Sequence, residues 1–282
     1  MDELIYDMFD QIFGGGVFRS VRDVLMLNPS TGDWKYAWDA VDVVYSNVMV
    51  PIALGLMIIW FLVAFMEKSA SEQVTFEQLF MLFAKLIAAK FLIDNGLQIF
   101  TTLWSVGISL IDKVGSAFGF DPNASGSFSS WSEISVDVEE LWEDFTGIEY
   151  GEDIGIIKGI GIMCQLLIPW LVSLIMIAVV HFICYSRLIE MLLRMMAAPI
   201  ALSDFMTEGL HGAGWRFLKN FLAICLQGMI MVAIALLYPL VVNGILTGGF
   251  WSVLLKYIAF SFAAIALMFK SLSISKELVG TS

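Results

Sequence analysis

Residues 43–66 run 24 positions without a single charged side chain. An α-helix rises 1.5 Å per residue, so about 20 apolar residues are needed to cross a hydrocarbon core of about 30 Å. Similar stretches recur at 159–186 and 220–243 and, less cleanly, at 91–111 and 250–269. The expected fold is all-α: a polytopic membrane protein of about five transmembrane helices, with amphipathic helices at the interfaces.

Composition agrees with that reading. Hydrophobic residues make up 59% of the 282 positions and charged ones 15%, more apolar material than a soluble domain buries inside. The three cysteines (Cys164, Cys184, Cys225) all fall in apolar runs. Cys164 and Cys184 would lie roughly 30 Å apart on one helix, too far for a disulfide, so buried small hydrophobes are expected. Met1-Asp2-Glu3-Leu4 lacks the basic start of a secretory signal, so the first span is expected to stay in the mature protein.

Charge then orients the spans, because loops facing the cell interior are rich in Lys and Arg. Between Lys113 and Lys158 lie ten acidic residues and no basic one: Asp121, Glu133, Asp137, Glu139, Glu140, Glu143, Asp144, Glu149, Glu152 and Asp153. That segment is expected outside, as is the acidic N-terminus with Asp2, Glu3, Asp7 and Asp10. Arg187, Arg194, Arg216 and Lys219 bracket the next connection, while Lys270 and Lys276 follow the last span, and these belong inside. Lys68, Lys85 and Lys90 join them. The organisation expected is an extracytoplasmic amphipathic segment at 1–43, two spans at 44–111 and an acidic outer loop at 112–156. A three-span core follows at 157–270, with a basic connection at 187–219 and a short cytoplasmic tail at 271–282. The N-terminus is expected outside and the C-terminus inside.

Individual segments refine this plan. Residues 76–90 read as a cytoplasmic amphipathic helix with Phe76, Leu79, Phe80, Phe83, Leu86 and Ile87 on one stripe, and the second span then crosses at 91–111. A mid-bilayer charge costs about 2.5–3.5 kcal/mol, so Lys90 and Asp94, one turn apart, are expected to pair near the surface; an ion or proton relay is the alternative. Lys256 is expected to reach the outer interface or an acidic group of a neighbouring subunit. Ile5, Met8, Phe9, Ile12 and Phe13, followed past Gly14-Gly15-Gly16 by Phe18, Val21, Val24 and Leu25, mark two short amphipathic helices lying in the outer leaflet or on a partner. Trp131, Ile134, Val138, Leu141, Trp142 and Phe145 mark another apolar face in the acidic loop. The carboxylates there do not follow a calcium-loop spacing. Gly155 and Gly159, one turn apart, form a small-residue surface that favours close helix packing.

One block carries more than topology. The chain reads Arg187-Leu-Ile-Glu190-Met-Leu-Leu-Arg194-Met-Met-Ala-Ala-Pro199-Ile-Ala-Leu, then Gly209-Leu-His-Gly-Ala-Gly214-Trp215-Arg216-Phe-Leu-Lys219, with Gln227-Gly228 in the following span. Glu190 can bridge Arg187 and Arg194 at helical offsets, Pro199 is expected to break the helix, and Trp215 to anchor the chain at the interface. The pattern resembles the TrbL/VirB-type polytopic subunit of type IV secretion and conjugal DNA-transfer machines. The likeness covers roughly 44–270 in layout and is motif-like over 187–228. It implies a non-enzymatic channel subunit forming a homo-oligomeric ring in the membrane lipids, with no cofactor. Secretion ATPases and other machine subunits would be partners, and a relaxase-linked single DNA strand the transient cargo. Arg187, Arg194, Arg216 and Lys219 are then candidates for nucleic-acid or lipid contact. Many relatives carry a long hydrophilic C-terminal extension, absent from the sequence after Lys270 here. A small-solute transporter is the alternative, although an odd span number and no internal repeat argue against it. An intramembrane enzyme would need a His-Glu-x-x-His, a Gly-x-Ser-x-Gly or paired aspartates, none of which occurs. His181 is expected to be an interfacial or hydrogen-bonded histidine.

Overall fold

A computed structural model describes residues 2–13, 24–27, 34–70, 76–117, 142–143, 146–148, 155–206, 212–245 and 250–281. The helices are α1 (Asp2–Phe13), α2 (Lys35–Val44), α3 (Val50–Ala70), α4 (Phe76–Asp94), α5 (Gly96–Ala117), α6 (Ile156–Ser203), α7 (Ala213–Ile245) and α8 (Phe250–Val279). A π-helical turn, Tyr45–Met49, joins α2 to α3, and a 3₁₀ turn, Asp204–Met206, follows α6. The π turn sits just ahead of Pro51, whose ring and missing N–H disturb the ladder four residues upstream.

Four stretches are long and apolar enough to cross a membrane: Lys35–Ala70, Lys158–Met206, Ala213–Tyr238 and Ser252–Val279. The chain is a multi-pass, all-α membrane protein. In the stretch beginning at Lys35 only 11% of the most apolar window is buried, so its side chains face lipid rather than protein. Helix α5 occupies the place expected for a fifth span. Its 22 residues are long enough, but Gln98, Thr101, Thr102, Ser105 and Asp112 make it less apolar than the other four.

The chain divides into two compact units. The first comprises Met1–Met26, Ser109–Tyr185 and Gly228–Ser271, and its core gathers Ile5, Phe9, Trp142, Leu166, Met176, Val180, Met231, Tyr257 and Met268. Helix α1 buries Ile5, Met8, Phe9 and Ile12, the i, i+3, i+4, i+7 set of one helical face. Trp142 stands edge-on to Phe9 at 5.2 Å and lies 4.6 Å from Tyr6, and the Trp170 indole donates to Gln11 Oε1 at 2.9 Å. The expectation that this helix lies in the outer leaflet or on a partner is corrected: its own chain covers it. Tyr238 and Ser261 close a buried hydroxyl pair at 3.0 Å, and Ser261 donates onward to the Tyr257 carbonyl. Of the other expected amphipathic segments, Val24 and Leu25 join this core, while the rest of the segment after Gly14–Gly16 and the acidic-loop face apart from Trp142 fall outside the described residues.

The second unit comprises Leu27–Ile108, Ser186–Gln227 and Leu272–Ser282. Its core gathers Tyr45, Ile93, Phe100, Trp104, Leu188, Met191, Met195, Leu202 and Phe221. Helices α3 and α4 pack as neighbours and both meet the 3₁₀ turn at Asp204–Met206. Their buried residues are Ala53 and Met57 on one and Leu82, Ala89 and Ile93 on the other. Most of the stripe expected on 76–90 faces away from these contacts. Phe76, Phe80, Phe83 and Ile87 are exposed, because a helix in lipid gains nothing by turning its apolar face inward.

Candidate functional site

The most unusual local structure of the second unit is the junction of α4 and α5. Helical hydrogen bonds continue through it, from the Asn95 amide to the Phe91 carbonyl and from Ile99 to Asn95, each 3.0 Å. One rung is replaced. The Leu97 amide would normally donate to the Ile93 carbonyl; instead it donates to the Tyr45 hydroxyl at 3.1 Å, and that hydroxyl donates to Ile93 O at 2.8 Å. A buried side chain from another helix has been inserted into the ladder, one of the identifiable causes of a kink. Gly96 permits it, since a Cβ there would collide with the Tyr45 hydroxyl and press on Leu202.

The insertion ties the start of the first expected span to the start of the second, Tyr45 to the turn between Ile93 and Leu97. The helix boundary also moves, with α4 continuing to Asp94 and the break falling at Asn95 rather than between Lys90 and Phe91.

Beside the junction lies an open cleft of about 340 Å³, lined by Trp38, Asp42, Ser46, Asp94, Gln98 and Thr101 among others. Lys90 Nζ meets Asp94 Oδ2 at 2.6 Å with both side chains largely exposed. At that exposure the pair is worth a few tenths of a kcal/mol and mainly fixes where the lysine points. Asp42 accepts a long hydrogen bond of 3.5 Å from Ser46.

The basic block also folds within this unit, though not as a single charged surface. Arg187 is 3% exposed. Its Nε donates to the Ile224 carbonyl at 3.0 Å, its Nη2 points to Cys225 O at 3.4 Å, and its guanidinium stacks 4.4 Å from the Trp104 ring centroid. It is therefore not available to DNA or lipid headgroups, and the expectation that it shares Glu190 with Arg194 is corrected. Glu190 takes Arg194 alone, one Oε1 accepting from Nε at 3.0 Å and Nη2 at 2.7 Å. A planar, weakly hydrated guanidinium suits such a buried fork better than an ammonium would. Gly107 opposite lets α5 approach the Cys225 backbone, where a Cβ would stand 3.2 Å from the carbonyl oxygen.

Pro199 does not break the helix. Helix α6 continues to Ser203, since a proline four residues from the end forfeits one hydrogen bond in a segment buried at Ala198, Pro199 and Leu202. The chain turns at Asp204, whose Oδ2 accepts from the amides of Ala213 at 2.6 Å and Gly214 at 3.4 Å. A carboxylate thus caps the first turn of α7 from across the connection. Gly214 is needed for close packing: a Cβ there would lie 2.7 Å from the Ala201 carbonyl and against the Phe205 ring. Trp215 is half-buried with the Lys219 ammonium 6.0 Å from its ring centroid, and Arg216 is exposed. Gly228 is buried in the first unit, and Gly209 lies outside the described residues.

The chain matches no family model, no curated protein and no solved structure. Function is thus argued from these side chains alone.

Other predicted positions are dispersed. Gly159 is buried, but Gly155 is exposed and a Cβ on it would meet nothing within 4 Å, so it makes no helix contact among the described residues. The His181 ring lies 2.8 Å from the Ile177 carbonyl through Nδ1, one turn back on its own helix. Cys184 and Cys225 are buried, whereas Cys164 is exposed on α6 and not the buried hydrophobe expected. Among the described residues no three His, Cys, Asp or Glu side chains converge as metal ligands. The sequence reading passed over Tyr45, Gly96, Trp104, Gly107 and Asp204. Asp94-Asn95-Gly96 was the available signal, a turn-favouring tripeptide inside an apolar helix; nothing in the sequence marks Tyr45 as its partner.

Proposed function

We propose that this chain is a non-enzymatic channel or platform subunit of a type IV secretion apparatus for conjugal DNA transfer. It would oligomerise in the bacterial inner membrane at the base of the translocation channel, with secretion ATPases as partners. The observation that carries the reading is the division of labour inside the motif block. Arg187 is spent inward, clamping α6 to α7 and α5, while Arg216, Arg194 and Lys219 keep at least part of their charge at the surface. That is the economy of an assembly scaffold: the most demanding charge holds the helices and the rest meets headgroups or passing cargo. Extensive exposed apolar surface on α3, α4 and α6 supports life in lipid and offers area for neighbouring copies.

The N-terminus-out, C-terminus-in orientation belongs to the same proposal. Supporting it, the acidic N-terminal helix packs with Trp142 of the acidic loop, as two segments on one side of a membrane can. Two measurements test the function. Imaging of the detergent-extracted protein should give rings, and neutralising Arg194 and Lys219 together should lower DNA crosslinking during transfer while protein levels hold. A monomeric protein whose deletion leaves conjugal transfer intact would overturn the reading.

A small-solute transporter remains the second reading because one observation favours it: a polar cleft beside a discontinuous helix, the usual architecture of a substrate site within a membrane. Uptake by the purified protein in sealed liposomes, abolished by Asp42→Asn, would select it.

A further inference from the structure

Helix α5 is built unlike the four apolar spans. Its inward face is apolar and packed, with Phe100, Trp104, Gly107 and Ile111 buried at successive turns. Its outward face carries Gln98, Thr102, Ser105, Ser109, Asp112 and Ser116, spaced four, three, four, three and four residues apart. That spacing is one continuous helical stripe running nearly the whole 22 residues of the helix. Every member is exposed except Asp112, which is partly so. The exposed faces of α3, α4 and α6 are instead lined by Ile, Leu, Phe and Met.

Hydrocarbon cannot solvate such a stripe. A polar group in lipid costs several kcal/mol unless it is satisfied, and polar residues at membrane depth turn to a bundle interior or to water. The hydroxyls have partly prepared for this. Thr102 donates to Gln98 O at 2.8 Å, Ser105 to Thr102 O at 2.7 Å and Ser116 to Asp112 O at 2.7 Å. Their protons are used within the helix and their oxygen lone pairs are left facing out, together with the Gln98 amide. The result is a narrow surface of mostly short side chains that accepts hydrogen bonds, with one cation, the exposed Lys113, beside its far end. Water satisfies such a surface fully, whereas a tightly packed protein partner would have to supply a matching row of donors.

We propose that the outward stripe of α5 lines a water-filled path across the membrane, enclosed when copies of this chain assemble, and that hydrated polar cargo passes along it. Short hydroxylated side chains keep such a path wide, and Lys113 lies near its end rather than along its length. The inference rests on the oligomeric reading above.

Single cysteines at Gln98, Thr102, Ser105, Ser109 and Ser116, in a Cys164→Ser background, test it in sealed membrane vesicles of both orientations. Ile168→Cys, on a lipid-facing position of α6, is the reference. Stripe cysteines should react with a small charged methanethiosulfonate at least 10-fold faster than the reference, and a bulky impermeant maleimide should label positions 98 and 116 from opposite sides. Reaction no faster than the reference overturns the path. Labelling of every stripe position from one side also overturns it, because α5 would then lie outside the bilayer. Ring formation in the same preparations is scored by crosslinking, so rings with an unreactive stripe refute the path alone, while failure of both refutes the assembly as well.

Discussion

Replacing Tyr45 by Phe removes one oxygen atom and tests the origin of the α4–α5 junction. That oxygen makes two hydrogen bonds to the backbone, one from the Leu97 amide and one to the Ile93 carbonyl. An ordinary hydrogen bond contributes about 1 kcal/mol net, and a buried polar group left without a partner costs roughly 1–3 kcal/mol. The Tyr45 ring is 3% exposed and wedged in the core, so the phenyl ring of the variant keeps the ladder apart and stops the 97-to-93 rung from reclosing. The expected loss is about 2–3 kcal/mol, concentrated at the junction. Because each 1.4 kcal/mol is tenfold in an equilibrium constant, opening there becomes roughly 30- to 140-fold easier. Hydrogen exchange in detergent micelles reads this directly: protection at Leu97 should fall by that factor while amides in the middle of α7 hold. Unchanged protection at Leu97 refutes the insertion, since it means that the amide had its partner within its own helix.

Three further substitutions address the remaining close contacts. Gly96→Ala places a methyl group against the Tyr45 hydroxyl and should cost about 1–3 kcal/mol in thermal unfolding; in the Tyr45→Phe background the penalty should shrink, a non-additivity that a double-mutant cycle measures. Arg187→Lys keeps the charge but loses the fork to Ile224 and Cys225 and the planar stack on Trp104, so it should lower folded yield and unfolding temperature, whereas Arg216→Gln at an exposed site should stay within about 0.5 kcal/mol of the parent. Asp204→Ala removes the cap on Ala213 and Gly214 and should cost about 1 kcal/mol, read as faster exchange in the first turn of α7 and not in its middle.

Which of these features the sequence announced follows from the range of the physics behind each. Apolar runs are local, and they identified the long helices that face lipid. The Lys90–Asp94 and Arg194–Glu190 pairs follow from helical offsets of four, also local. Arg187 shows where locality stops. Two acid–base offsets were open to Glu190, and the winner was decided by Trp104, 83 positions earlier in the chain, and by carbonyls on α7. Pro199 shows the same limit from the other side, because burial of its neighbours outweighed the usual preference of proline to end a helix. The stripe on 76–90 was legible as a helical face but not as to which way it turns, because apolar periodicity says which residues align and is silent on whether lipid or protein lies opposite. That ambiguity is intrinsic to membrane helices, where both surroundings are equally apolar. A polar stripe has no such ambiguity. The row from Gln98 to Ser116 is therefore a face whose surroundings follow from side-chain chemistry alone, and it lay in the sequence at offsets of three and four within what looked like an imperfect span.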